Sequence, residues 1–224
     1  MAKADYCSGR TRVRRQPARG RYEAAAVHAV LDAGLVAHVA FVDAGQPYCI
    51  PMLQARRGDA VYIHGSAASR ALRVLAGGVP ACLTVTLLDG LVLARSAFEH
   101  SANYRAAVVL GSFSPVEGDD ERLAAFAAFT EKLVPGRWDE VRPPSRQELK
   151  ATWILALPLA EASVKTRTRP PSDDESADAA RDTWAGALPF RTVVGPPQAS
   201  PGLRPGIPLA PSARRLLERN KGAP

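Results

Sequence analysis

Apolar and polar positions follow two rhythms along this chain, and the change from one to the other marks its elements. From Tyr22 to Ala33, Val27, Val30 and Leu31 recur at the i, i+3, i+4 spacing of a buried helical stripe, and Gly34 stands where such a helix stops. Short apolar runs separated by turn residues come next. Leu35–Val42, a turn at Asp43-Ala44-Gly45-Gln46, Pro47–Gln54, a turn at Arg56-Arg57-Gly58-Asp59 and Ala60–His64 read as a meander of antiparallel strands. A helix over Ala67–Ala76 ends at Gly77-Gly78. Ala81–Leu88 and Leu91–Phe98 read as two strands joined by a hairpin at Asp89-Gly90, a dipeptide that tolerates the positive φ of a tight turn.

Tyr104–Val116 is a further long strand, bent at Gly111. A helix from Asp120 to Val134 presents Leu123, Phe126, Ala127 and Leu133 on one side, and Ser145-Arg146-Gln147-Glu148 is a capping box that opens a short helix. Ala151–Leu159 and Ala162–Thr166 close the series, with Pro158 marking a bulge or an edge. About six or seven antiparallel strands with helices between them predict a mainly β fold with flanking helices, and closure into a barrel removes its exposed edges.

Composition divides the chain into parts. Of 224 residues, 46% are hydrophobic and 23% charged, which suits a globular body, whereas the 19 prolines crowd towards the C-terminus. The expected organisation is a flexible basic arm over 1–20, one barrel domain over 21–168, an extension over 169–195 that packs on the barrel or on a partner, and a Pro-rich tail over 196–224. The extension carries one apolar island, Trp184–Phe190. Asp173, Asp174, Glu175 and Asp178 read as a solvated acidic linker. The net charge is +7, and residues 1–21 hold seven basic side chains against Asp5 alone. The body is therefore close to neutral and implies no general nucleic-acid face.

Cys7, Cys49 and Cys82 are scattered and form no CxxC pair, which suggests neither a disulfide framework nor a zinc site and fits a reducing cytoplasm. The arginine-rich start is not followed by an apolar segment of the kind a secretory leader needs, and no run of about 18 apolar residues predicts a membrane span.

Two segments carry chemistry. In Tyr62–Arg73, a strand end, a Gly-Ser turn and a helix start succeed one another, with Ser66 as expected N-cap. Arg70 and Arg73 then fall near the end of the helix where cations are unfavourable, a conflict that a bound phosphate relieves. The alternative is an amphipathic helix with incidental arginines. In His100–Gly111, Ser101, Asn103, Tyr104 and Arg105 precede an apolar strand and offer hydrogen bonds to a polar ring system, or else simply cap the strand. His28, His38, His64 and His100 lack metal-ligand spacing, and no GxSxG, P-loop or GxGxxG motif follows a strand. No titratable pair is placed to act as a dedicated acid and base.

The ordered string Gln46-Pro47-Tyr48, Ile50-Pro51, Tyr62-Ile63-His64-Gly65-Ser66, Ser69-Arg70, Leu87–Phe98 and Asn103-Tyr104-Arg105 resembles the flavin-nucleotide-binding branch of the pyridoxamine 5′-phosphate oxidase-like proteins, whose relatives include nitroimidazole-resistance proteins. The likeness continues through Pro135-Gly136-Arg137-Trp138 and Trp184-Ala185-Gly186. It implies a split antiparallel β-barrel of the FMN-binding type, a homodimer with FMN at the interface, and an oxidoreductase acting on a small-molecule substrate. The family's phosphate segment matches Ser69 and Arg70, with His64 and Ser66 on the approach. Ile50 and Pro51 fall on the strand beside the ring, and Tyr104, Lys165 and Trp184 match positions near the site, the last two from the partner subunit. Ala106 and Ala107 stand where many relatives carry a hydroxyl. The alternative function is a flavin- or haem-binding sensor without turnover, with His64 or His38 as haem ligand, since haem-handling and deazaflavin-using proteins share this architecture.

Overall fold

The computed structural model describes residues 5–174 and 176–221. After a short helical turn at Pro17–Arg19, the elements in chain order are β1 (Gly20–Arg21), α1 (Ala24–Ala33), β2 (Val36–Asp43), β3 (Gln46–Arg57), β4 (Ala60–Ser66), α2 (Arg70–Ala76), β5 (Pro80–Leu93), β6 (Ser101–Ser112), β7 (Ser114–Pro115), α3 (Asp119–Leu133), α4 (Arg146–Ala151), β8 (Thr152–Pro158), β9 (Glu161–Arg167), β10 (Gly186–Pro189) and α5 (Pro211–Lys221). The strands form one antiparallel sheet in the order β1-β9-β6-β5-β2-β3-β4-β8-β7, with β10 added to β5. This is the mainly β fold with flanking helices that the pattern predicts, and the split antiparallel β-barrel that the family resemblance implies. No helix among the described residues is long and apolar enough to cross a membrane.

The barrel is made by a corner in β3. Residues 46–53 of this strand pair with β2, and residues 54–57 pair with β4. At the change of partner sits Gln54, which is almost fully buried. Its backbone N–H donates to the Leu35 carbonyl, and its side-chain amide donates to the carbonyls of Leu31 (2.7 Å) and Gly34 (2.6 Å). The Lys132 ammonium, from α3, donates to the Leu31 and Asp32 carbonyls. The end of α1 is thus capped by two other elements, which satisfies carbonyls that a helix terminus leaves open. Burial lowers the pKa of Lys132, which Asp32 partly opposes. The α1 stripe of Val27, Val30 and Leu31 enters the main core beside Val39, Ile63, Leu72, Leu83, Val109 and Leu157. Gly34 is required next to it, because a Cβ there runs into Val85.

Several expectations are corrected. The chain does not turn back at Asp89-Gly90: β5 runs through it, with a register shift between Leu88 and Gly90. The Asp89 carboxylate is held by both forks of Arg105 (2.9 and 2.7 Å), and Gly90 pairs with Pro189 of β10. The dipeptide serves a bulge. In α3 the buried residues are Ala125 and Phe129, with Phe126 partly buried, while Leu133 is exposed. The alanine-rich helix has little intrinsic sidedness, so its two phenylalanines choose the face. The capping box at Ser145 and Glu148 is present with both reciprocal bonds.

The basic arm is docked over residues 5–20. Tyr6 is fully buried; its hydroxyl donates to Asp59 (2.7 Å) and meets the His28 ring (3.0 Å). Arg10 forms a two-pronged pair with Glu161. Burial, reinforced by Asp59, pushes the Tyr6 pKa up to about 12, so the phenol stays a donor. The acidic segment is not a free linker either: Asp173 is buried and accepts from the Arg95 backbone and guanidinium, and Asp174 joins the same arginine. Glu175 lies outside the described residues. The Pro-rich tail ends in α5, whose Ser212 is buried against Glu140.

Replacing Gln54 by Leu leaves the Leu31 and Gly34 carbonyls short of a donor. We expect a loss of about 1–3 kcal/mol in urea unfolding; an unchanged midpoint contradicts this role for the corner.

Candidate functional site

The change of partner in β3 leaves one of its edges open. β4 pairs with β3 only through Ala60–Ile63, opposite residues 54–57, whereas β8 lies along the whole of Ala60–Ser66. Among the described residues, the edge of Gln46–Leu53 that faces away from β2 therefore has no strand beside it. Its backbone groups are open to a polar ligand, since unpaired strand groups seek partners. Tyr48, Ile50 and Met52 are half-buried along this stretch and pack on the main core. Pro51 points to the opposite face, where its register partner is His38.

The start of α2 lies over this edge. Arg70 stacks on the Tyr48 ring, 4.5 Å from its centre, and reaches Asp43 at 3.9 Å. Its side chain is still 61% exposed, so the guanidinium retains donors for an anion. The N-cap is Ser69, whose hydroxyl accepts from the Leu72 N–H, and not Ser66. Ser66 instead begins the turn before the helix: its carbonyl accepts from Ser69 N–H and its hydroxyl from Ala68 N–H. The helix is consequently shorter than expected, and Arg73 falls in its last turn, where a cation is favourable. Half of the electrostatic argument from sequence therefore falls away, and Arg70 alone carries it.

The other expected residues lie elsewhere. His64 is on the side of β4 that faces α3, with its ring edge-on to Phe129 at 4.3 Å, whereas its neighbour Gly65 faces Leu72 of α2. Burial lowers the His64 pKa, which favours the neutral imidazole, and its Nδ1 is buried without a partner among the described residues. Tyr104 and Lys165 belong to the paired strands β6 and β9, where Tyr104 opposes Arg167 and Lys165 opposes Ala106. Trp184 is 63% exposed, and its ring covers Gly186 at the head of β10. The chain thus brings Arg70, with its neighbour Ser69, to the Tyr48–Ile50 stretch of the open edge, and sets His64, Tyr104, Lys165 and Trp184 apart.

Sequence reasoning missed Tyr48, the platform under Arg70, and Arg167, a buried arginine. The alternation Lys165, Arg167, Arg169 is a period-two signal of basic groups at the end of β9 and just beyond it. It offered Asn103 and Arg105 to a ligand, yet Asn103 accepts from Arg167 and from the Arg169 N–H, and Arg105 holds Asp89.

The outward face of β2, β3 and β5 is apolar for a surface. Val36, Val42, Leu53 and Leu88 are each 40% or more exposed there, and Pro47, Cys49 and Pro51 are exposed beside them. A contiguous face of this kind marks an interaction surface.

A Gly90→Ala substitution places a Cβ against the Leu188 carbonyl (2.5 Å) and Pro189. We expect β10 to detach, with faster tryptic cleavage at Arg181 and Arg191 and a stability loss of about 1–3 kcal/mol; unchanged cleavage contradicts the close approach.

Comparison with known proteins agrees with this fold. The family model for pyridoxamine 5′-phosphate oxidase matches residues 23–166. The flavocytochrome Anf3 from Azotobacter vinelandii is 40% identical, with 93% of this chain and 97% of that one covered at a TM-score of 0.87. An FAD and heme binding protein from Mycobacterium smegmatis is also 40% identical, with 88% and 97% covered at 0.83. A candidate 5-nitroimidazole antibiotic resistance protein from Bacteroides thetaiotaomicron shares the fold at 17% identity, with 64% and 83% covered and a TM-score of 0.55. None of the curated proteins matches. The matched model spans most of the barrel, from the residue before α1 into β9, and on that ground this chain belongs to the pyridoxamine 5′-phosphate oxidase-like family.

Proposed function

We propose that this chain is a flavin-binding redox protein that also carries haem and works as a homodimer. The observation that carries the reading is the 40% identity, over nearly the full length of both chains, to a flavocytochrome and to an FAD and heme binding protein. The residues fit a flavin. Arg70 is oriented by Tyr48 and still free to meet a phosphate through charge-assisted bonds, and the Ser69 hydroxyl remains available to donate. The open edge of β3 near Ile50–Met52 offers backbone groups to a ring edge. A haem also finds chemically suitable imidazoles: His64 is kept neutral by burial and has an unused ring nitrogen, and His38 lies on the exposed apolar face. A flavin beside a haem lets a two-electron donor serve a one-electron acceptor, which makes the oxidoreductase reading concrete.

The apolar outer face supports the homodimer, since pairing two copies covers Val36, Val42, Leu53 and Leu88. A partner copy would also supply Lys165 and Trp184, which one subunit keeps away from Arg70. The substrate in this reading is a small molecule, and the site of action is cytoplasmic.

Visible absorption tests the proposal. Purified protein is expected to show flavin bands and a Soret band, the latter lost in His64→Ala or His38→Ala. Colourless protein that takes up neither cofactor contradicts it. Chromatography of the released flavin separates FMN, which the family resemblance implies, from the FAD named for the Mycobacterium relative. Arg70→Ala is expected to weaken flavin binding by about tenfold or more, in line with loss of a charge-assisted bond, and unchanged affinity removes the phosphate assignment.

A further inference from the structure

Where the docked N-terminal segment crosses β9, a cavity of about 380 Å³ opens between Gln16–Arg21 and Thr166–Arg169. Arg19, Arg21, Arg167 and Arg169 line it, and among the described residues no carboxylate does. Among the described residues none of the four forms an ion pair. Arg167 is only 4% exposed, and its guanidinium donates to neutral oxygens alone: Asn103 Oδ1 (2.7 Å), the Arg169 carbonyl (2.9 Å) and the Pro170 carbonyl (3.2 Å). Burial lowers the Arg167 pKa, and Arg19 and Arg169 lower it further; Tyr104 and Glu99 act in the other direction from outside the cavity. Arg19 Nε is buried with no hydrogen-bond partner among the described residues. Gln16, on the rim, holds a left-handed backbone (φ 58°, ψ 58°) that a non-glycine residue adopts only under constraint.

A buried guanidinium is costly without a counter-charge, and neutral carbonyls do not provide one. Here the surrounding charges make the deficit worse. We propose that this cavity is an anion site for a phosphate group. The size suits a small dianion with its ester, and guanidinium forks match phosphate geometry. The site is separated from the Arg70 edge of β3 by β6, β5 and β2 in the sheet order. It stands without the flavin reading. Its phosphate comes either from a phosphorylated small molecule or from a flavin held across two subunits.

The test uses the full chain as purified, with Arg19→Gln, Arg21→Gln and, as a charge-matched control, Arg142→Gln, whose side chain pairs with Glu148 away from this cavity. Inorganic phosphate and pyrophosphate are titrated calorimetrically, and flavin content is read in parallel. Saturable binding that weakens about tenfold or more in the two cavity variants but not in the control assigns the site to a phosphorylated small molecule. If the wild type instead refuses both ions, and the cavity variants lose flavin while the control keeps it, the cavity holds the phosphate of the flavin. Absence of both effects, or equal effects in Arg142→Gln, overturns the proposal. A colourless wild type refutes the flavin reading alone, since the phosphate titration is still read on that protein.

Discussion

One buried amide governs how this sheet becomes a split barrel. Gln54 stands where β3 leaves β2 and joins β4, and its side chain binds the end of α1 through two carbonyls. A strand that changes partners bends, and the bend exposes backbone groups on one side while pulling them together on the other. Here the inner side is paid for by the Leu31 and Gly34 carbonyls, with Lys132 of α3 closing the same corner. Because the helices on both sides of β3 meet at this point, the corner fixes their positions relative to the sheet. The same departure towards β4 leaves the edge of Gln46–Leu53 open among the described residues.

The candidate site follows from that opening. An open strand edge offers donors and acceptors but no net charge, so recognition of an anionic ligand needs a separate cation. In the proposed site that cation is Arg70, which stands at the first position of α2 against the Tyr48 face. The two arrangements are local and independent of catalytic acids or bases, which agrees with a protein whose reactive chemistry resides in a bound cofactor. In the proposed homodimer, the apolar face on the other side of the same strands lies at the contact. Ile50 and Pro51 are adjacent in sequence and point to opposite faces, so any partner copy covering Pro51 and His38 sits one strand thickness away from the Tyr48–Ile50 side.

Local rules carried the reading where both partners of an interaction are close in sequence. The stripe of Val27, Val30 and Leu31, the stop at Gly34 and the reciprocal bonds of Ser145 and Glu148 each involve residues within a few positions of one another. The rules failed where a distant segment decided the outcome. Asp89-Gly90 has the composition of a hairpin turn, but β10, nearly a hundred residues later, pairs across Gly90 and Arg105 takes the carboxylate. Ser66 and Ser69 are equivalent as N-caps by composition; the bond from Ala67 N–H to the Ala151 carbonyl holds the preceding turn and delays the helix to Arg70. The family likeness placed Ser69, Arg70 and Ile50 in one region. It did not reveal Tyr48 as the platform or Arg167 as a buried cation, because both roles depend on burial that no pattern of residue types records.

The arm shows why charge counted along a sequence differs from charge placed in space. Seven basic residues within 21 positions suggested a solvated segment. Tyr6 reverses that outcome: burying a ring of its size is worth about 1.5–3 kcal/mol, and its hydroxyl loses nothing on entry because Asp59 and His28 receive it. Once Tyr6 is anchored and Gly20-Arg21 pairs with Val164-Lys165, the residues between them have fixed positions. Arg10 then meets Glu161, whereas Arg19 and Arg21 are carried to a place where Arg167 already lacks a counter-charge. A surface arm could have spread these charges into solvent at little cost. Docking instead concentrates them, and such a concentration persists only where the folded protein gains more from the anchor than it loses to repulsion, or where an anion completes the site.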